Sequence, residues 1–201
     1  MLATGHQVMG MTWGIIALTI LPFTLPVSDP LTTILFLLAV LFGAYLPDID
    51  SPNSTIGRRL YPVALYIIAG SLVSLYLFPE LTKGLYANYT PVVVAIFIPV
   101  ILVFSTHRTW THSLSFIMTL VLYFQLISRW LTIPDYIQIA ILIGVVSHIF
   151  GDFITKQGVP LLYPFSHRRF RFILTFRTGS IMEKALILGL LLLNVYLFMG
   201  I

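Results

Sequence analysis

Residues 136–152 read YIQIAILIGVVSHIFGD, an apolar run that closes on His148 and Asp152. The run is greasy enough to enter a bilayer, and its end carries two ionisable side chains four residues apart. Six more apolar segments accompany it. With the quoted run taken as 136–151, they lie at roughly 7–27, 31–47, 61–79, 91–106, 113–132 and 182–200. A membrane-spanning helix needs about 20 apolar residues, so the fourth and sixth segments are short. Pro22, Pro26, Pro47, Pro62, Pro79, Pro91 and Pro134 sit near segment ends, where a missing helical N–H costs least. The expected fold is an all-α membrane protein: a polytopic helical bundle of about seven apolar segments, forming one domain over residues 1–201.

Composition supports this class. Hydrophobic residues make up 58% of the chain and charged residues 9%, and mean hydropathy is +0.98. A soluble domain carries about 25% charged residues, so this chain cannot cover a water-facing surface. No cysteine is present, which excludes disulfides and thiolate metal sites and leaves His, Asp and Glu as metal donors. No basic n-region or small-residue cleavage site marks a secretory signal, so the first segment is expected to stay in the protein. No internal repeat points to an inverted-repeat transporter.

Lysine and arginine orient the bundle. Arg58, Arg59, Arg108, Lys156, Arg168, Arg169, Arg171, Arg177 and Lys184 fall on one side, against Lys83 and Arg129 on the other. The expected topology has the N-terminus inside, the C-terminus outside, and the chain in the cytoplasmic (inner) membrane of a prokaryote. The formal charge of +4 follows from this topology, so nucleic acid is not an expected partner.

The polar residues sort onto that same inner face. His6 opens the first segment, and Asp48 and Asp50 close the second. His107 and His112 join the fourth to the fifth. His148 and Asp152 close the sixth, and Glu183 opens the seventh. The spacing of His148 and Asp152 puts both side chains on one helical face, and imidazole nitrogen with carboxylate oxygen suits Zn²⁺, Mn²⁺ or Fe²⁺. Two carboxylates at the edge of a bilayer, Asp48 and Asp50, are costly unless paired or ligated. In HRTWTHS, residues 107–113, a turn must present the two histidines. Thr111 or Ser113 caps the following helix, and the planar fork of Arg108 suits a phosphate oxygen. Asp29, Glu80 and Asp135, on the outer side, read as solvated loop charges. The connection 152–181 interleaves basic and aromatic residues around His167-Arg-Arg-Phe-Arg171, a pattern of interfacial loops that attract anionic headgroups. Within it, RFRFILTF alternates enough for a short strand or an interfacial segment.

At GHQ, GAYLPDIDSPNS, HRTWTHS, HIFGDFITKQGVPLLYPFS and TGS-x-x-E, the chain strongly resembles the YdjM-like family of bacterial inner-membrane proteins assigned as metal-dependent hydrolases. The resemblance covers essentially the whole sequence. There is also a distant similarity to zinc-dependent phospholipase C and the P1-type nucleases, helical enzymes that bind zinc through dispersed His and Asp. His148 and Asp152 match their H-x-x-x-D pair, and His6, Asp48 and His112 match by order and residue type. Their N-terminal tryptophan ligand has no counterpart, because Trp13 lies inside an apolar segment. The resemblance therefore implies one or two metal ions rather than three.

Residues and resemblance together predict a membrane metallohydrolase of a phosphoester. Its metal, Zn²⁺ before Mn²⁺, would be held by His6, Asp48, Asp50, His112, His148 and Asp152. Arg108 and His107 would bind phosphoryl oxygens, and Asp50 or Glu183 would accept a proton. The expected partners are the bilayer and an amphiphilic phosphorylated substrate. Two other classes compete. An ion or metal transporter needs polar groups on both sides of the membrane, and the outer halves here are almost wholly apolar. A non-catalytic scaffold docking a cytoplasmic partner through its basic loop leaves the His/Asp set without a reason.

Overall fold

The computed structural model describes residues 1–20, 29–50, 57–84 and 109–199, together with Thr90, Val93, Ala95, Phe97, Ile98 and Val100. The fold is helical. Helices α1 (Ala3–Ile20), α2 (Pro30–Gly43), α3 (Gly57–Leu77), α4 (Leu114–Ile127), α5 (Asp135–Phe153) and α6 (Ile181–Phe198) are joined by two short 3-10 turns, Leu46–Asp50 and Trp110–His112. Among the described residues β-structure is limited to two isolated bridges, Thr155 with Phe176 and Val159 with Phe170. The alternating stretch 169–176 thus contributes bridges rather than a strand.

Among the described residues, four helical stretches are long and apolar enough to cross a membrane: Pro30–Asp50, Arg58–Leu77, Asp135–Phe153 and Ile181–Phe198. The outer surfaces of α3 and α6 carry exposed Leu72, Val73, Leu77, Leu188, Leu192 and Val195. An apolar area of that extent is tolerable only against lipid. Segment lengths differ from the sequence expectation in two places. The sixth segment is a full 19-residue helix, about 28 Å long at 1.5 Å per residue, because His148 and Asp152 lie within the helix instead of terminating it. The fifth is the short one, with 14 residues ending at Ile127, or about 21 Å. Its last carbonyls are closed off by the N–H of Ser128. Most of the fourth segment lies outside the described residues.

Local signals place the helix starts. Asp29 accepts from Leu31 N at 2.9 Å and Thr32 N at 3.0 Å, with Pro30 in the first turn. This N-cap, the Thr32 N–H first, holds the Asp29 carboxyl below its usual range. The sequence had it as a mere loop charge. Ser113, rather than Thr111, caps α4, and Ser180 caps α6.

Helix α5 is the centre of the bundle, with α1, α2 and α4 packed around it. Phe116, Leu120 and Phe124 of α4 meet Val145 and Ile149 of α5. Phe36 and Val40 of α2 meet Ala17 and Ala140. The tightest crossing is between α2 and α5. A Cβ on Gly43 would stand 2.2 Å from the Ile141 carbonyl oxygen, and one on Gly144 would stand 2.1 Å from the Val40 carbonyl oxygen. Two glycines thus let the helix backbones touch, as small residues do in membrane bundles. The obstructing atoms are backbone and cannot swing aside.

Gly43→Ala and Gly144→Ala are each expected to cost about 1–3 kcal/mol, the range for forcing extra atoms into a packed core. The midpoint of unfolding of the detergent-solubilised protein measures this. Gly189→Ala is the control, since nothing lies within 4 Å of its added Cβ, and it is expected to leave the midpoint unchanged or raised.

Candidate metal centre

Four elements carry the polar residues to one point. The last turn but one of α5 offers His148 and Asp152. The turn Leu46–Asp50, which ends the second span, offers Asp48. The turn Trp110–His112 offers His112, and the first turn of α1 offers His6. His112 and His148 are fully buried, and His6 and Asp152 are 2% and 1% exposed. Two groups of potential ligands result, His6 with His148 and Asp152, and Asp48 with His112 and His148. Within each, the ligand atoms lie within 4.8 Å of one another. His148 belongs to both, so the five side chains form one continuous cluster that could hold a metal ion.

The spacings have a metal-like character. His6 Nε2 lies 3.3 Å from Asp152 Oδ1, and His112 Nε2 lies 3.5 Å from Asp152 Oδ2. Asp48 Oδ1 lies 3.8 Å from both His112 Nε2 and His148 Nε2. Good N–H···O hydrogen bonds measure about 2.7–3.2 Å. A tetrahedral ion with bonds near 2.0–2.1 Å sets its ligand atoms roughly 3.3–3.4 Å apart. The observed distances are long for direct pairing and close to the edges of a shared coordination polyhedron. His148 Nε2 and His6 Nδ1 are buried without a hydrogen-bond partner among the described residues.

The surroundings select the ligating tautomers. His148 Nδ1 donates to the Ala44 carbonyl oxygen at 2.7 Å, so its Nε2 presents a lone pair to the cluster. The Thr111 hydroxyl donates to Asp50 Oδ2 at 2.6 Å. Its oxygen is 3.0 Å from His112 Nδ1 and receives that ring's N–H, which leaves Nε2 facing Asp48 and Asp152. A carboxylate or carbonyl behind each imidazole is the usual outer support of a metal-bound histidine. His6 and His148 stack in parallel, with ring centroids 3.6 Å apart and planes 5° apart. That stacking suits neutral imidazoles, the form that binds a metal. Gly151 makes room for it, since a Cβ there would sit 3.0 Å from His6 Nδ1.

The other expected site residues are placed differently. Asp50 is buried, but the groups that could hold a metal contain Asp48 and not Asp50; its carboxylate acts on the cluster through Thr111. Glu183 is fully buried. Its Oε1 accepts from Leu2 N at 2.6 Å and its Oε2 from Gly179 N at 2.5 Å, so it ties the start of α1 to the start of α6 and fixes His6 in place. The Met1 amino group contacts Asp152 Oδ1. His107 and Arg108 lie outside the described residues. Sequence reasoning overlooked the hydroxyl bridge of Thr111, the Ala44 carbonyl and Gly151. Only Thr111, adjacent to His112 and opposite an acid-rich turn, left any trace in the sequence.

The connection 154–180 closes over this end of the bundle. Lys156 N donates to Phe176 O, and Val159 and Phe170 exchange backbone hydrogen bonds. The Ser115 hydroxyl donates to Tyr163 O. Val159 is buried against the α4–α5 core, while Arg168, Arg169 and Arg171 remain exposed.

The family model of the YdjM inner membrane protein matches residues 1–201, and the chain belongs to that family. It is a multi-pass inner-membrane protein, as the spans require. It is 34% identical to YvsG of Bacillus subtilis over 157 residues, 78% of this chain and 73% of that one. It is 28% identical to the inner membrane protein YdjM of Escherichia coli over 155 residues, 76% of this chain and 61% of the relative's length. No solved structure matches it.

Thr111→Val keeps the shape of residue 111 and removes the bridge between Asp50 and His112. Zinc titration of the purified variant is expected to show affinity lowered about 10- to 100-fold, the usual loss for an outer-support residue, with the same number of ions bound at saturation.

Proposed function

We propose that this YdjM-family protein is a membrane-embedded, metal-dependent hydrolase acting on a phosphoester in an amphiphilic substrate at the cytoplasmic edge of the bilayer. The observation that carries the reading is the set of His and Asp ligand atoms spaced 3.3–3.8 Å apart, with His148 Nε2 left without a hydrogen bond among the described residues. Burying three imidazoles and the Asp152 carboxylate beside a half-buried Asp48 in a lipid-embedded bundle is expensive. A cation held among them would offset that cost and explain their convergence. The all-nitrogen-and-oxygen donor set, with small ligand separations, favours Zn²⁺, with Mn²⁺ as the alternative. One or two ions fit five side chains whose two groups share His148.

A divalent ion bound there supplies a water of pKa near ~7 and a Lewis acid for a phosphoryl oxygen. The residues of the chain do the rest. His6, His112 and His148, braced by their neighbours, hold the donor atoms without needing to reorganise. Asp48, with a side chain 26% exposed, is the carboxylate of the cluster that an incoming substrate meets, and it stands in the best position to take a proton from water. Asp50, engaged with Thr111, keeps His112 in the ligating tautomer. Glu183, with both oxygens given to backbone N–H groups, holds α1 in place and is a positioning residue rather than the base. Arg108 and His107 precede His112 in the same connection. Their cationic and hydrogen-bonding groups suit the phosphoryl oxygens, where they would stabilise developing charge.

The test is elemental analysis of protein purified into nanodiscs, followed by turnover of a lipid phosphate with and without chelator. Wild type is expected to carry about one or two zinc equivalents and to lose turnover on chelation. His148→Ala and Asp152→Ala are each expected to strip the metal while the circular dichroism stays helical. Metal content unchanged in both variants would falsify the assignment. Arg108→Ala is expected to retain metal and lose turnover by about 10²–10³-fold, as removal of a charge-stabilising donor does.

A further inference from the structure

Beside the cluster lies an apolar cavity of about 380 Å³, a volume within the roughly 300–1,000 Å³ of ligand sites. Its walls come from α2, α3, α4 and α5, and two wall residues, Leu46 and Ile49, belong to the turn that carries Asp48. A third, Phe116, lies in the first turn of α4, just after His112. The same short pieces of chain thus face the metal cluster on one side and the cavity on the other. At the outer rim, Phe42 and Leu60 line the cavity and are 53% and 37% exposed, so the mouth opens sideways toward lipid.

We infer that this cavity is the subsite for one hydrocarbon chain of the substrate, whose phosphate end reaches the Asp48–His112–His148 group. The inference rests on the hydrolase reading above and adds to it the chemical class of the substrate's tail and its route of entry. The cavity offers no polar handle. The hydroxyls of Thr119 and Tyr123 are spent on the Ser115 carbonyl at 2.8 Å and the Ala95 carbonyl at 3.1 Å. Water needs two to four polar partners to stay in a buried site, and this lining provides none to spare. A chain arriving from the bilayer exchanges one apolar environment for another, so its transfer is nearly neutral. Occupancy therefore comes from the phosphate end at the cluster, and the cavity decides by shape which chains follow. An amphiphile can enter laterally without leaving the membrane, its tail passing between Phe42 and Leu60 while its head stays at the membrane edge.

The experiment uses the metal-loaded protein in nanodiscs and hexadecyl phosphate bearing a diazirine at the chain end. On photolysis, labelling is expected to saturate and to map to α4 around Phe124, the part of the lining furthest along that helix from His112. Unlabelled hexadecyl phosphate should compete and butyl phosphate should not. Thr119→Trp, which fills the cavity from one wall, is expected to lower specific labelling about tenfold, equivalent to ~1.4 kcal/mol, with metal content retained. The wild-type competition stands without the variant. Labelling that does not saturate, or that spreads over the lipid-facing surfaces of α3 and α6, means ordinary bilayer contact and overturns the inference. Equal competition by the butyl ester overturns it as well. Metal measured on the same samples separates the two readings: a metal-free wild type sinks the hydrolase, whereas a metal-loaded protein with no cavity labelling sinks only the chain subsite.

Discussion

The backbone contact between α2 and α5 at Gly43 and Gly144 is what the site depends on most. It brings the end of α2 close enough for the Ala44 carbonyl to accept from His148 Nδ1 at 2.7 Å. The same approach delivers the following turn, and with it Asp48, to the inner face of α5. In lipid, helices gain little from burying apolar surface against one another, because hydrocarbon tails are equally apolar. Close packing through small residues is then the available source of affinity. Here it also sets the distance between a carboxylate and two imidazoles.

Around that contact, the remaining constraints are polar and few. The Asp50–Thr111–His112 relay orients one ring, the Ala44 carbonyl orients a second, and the stack on His148 over Gly151 orients the third. Glu183 clamps the segment that bears His6 by accepting two backbone N–H groups. Except for the stack, each device satisfies a buried polar group that hydrocarbon would otherwise leave at a cost of several kcal/mol. The residues that hold the ligands are therefore also residues the bundle needs in order to fold in a membrane. The His/Asp cluster lies at one end of the bundle, and an apolar cavity begins at the same Leu46–Asp50 turn.

Much of this was legible before any coordinates. Apolar run lengths marked membrane-length helices, and the His148–Asp152 spacing put two candidate donors on one helix face, because both properties are local in sequence. The reading faltered where local patterns compete. Trp130 and Leu131 extend the apolar pattern beyond Ser128 and Arg129, yet the helix stops at Ile127. Asp48 and Asp50 look interchangeable in LPDID, but a 3-10 turn sends one carboxylate toward the histidines and the other to Thr111. Glu183 in TGS-x-x-E reads equally as base, ligand or cap. Its two backbone donors, one of them nearly the whole chain length away, settle its geometry.

The sequence by itself determined that the chain lives in a bilayer, that histidines and acids suited to a metal recur at the ends of its apolar segments, and that no thiolate is available as a donor. Those are matters of composition and of periodicity along single helices. Tertiary structure alone decided which imidazole nitrogen faces inward, which of two neighbouring acids joins the cluster, and where an apolar cavity forms. These turn on distances of a few ångströms between residues 61 to 104 positions apart in the chain, and such distances follow from how the helices cross.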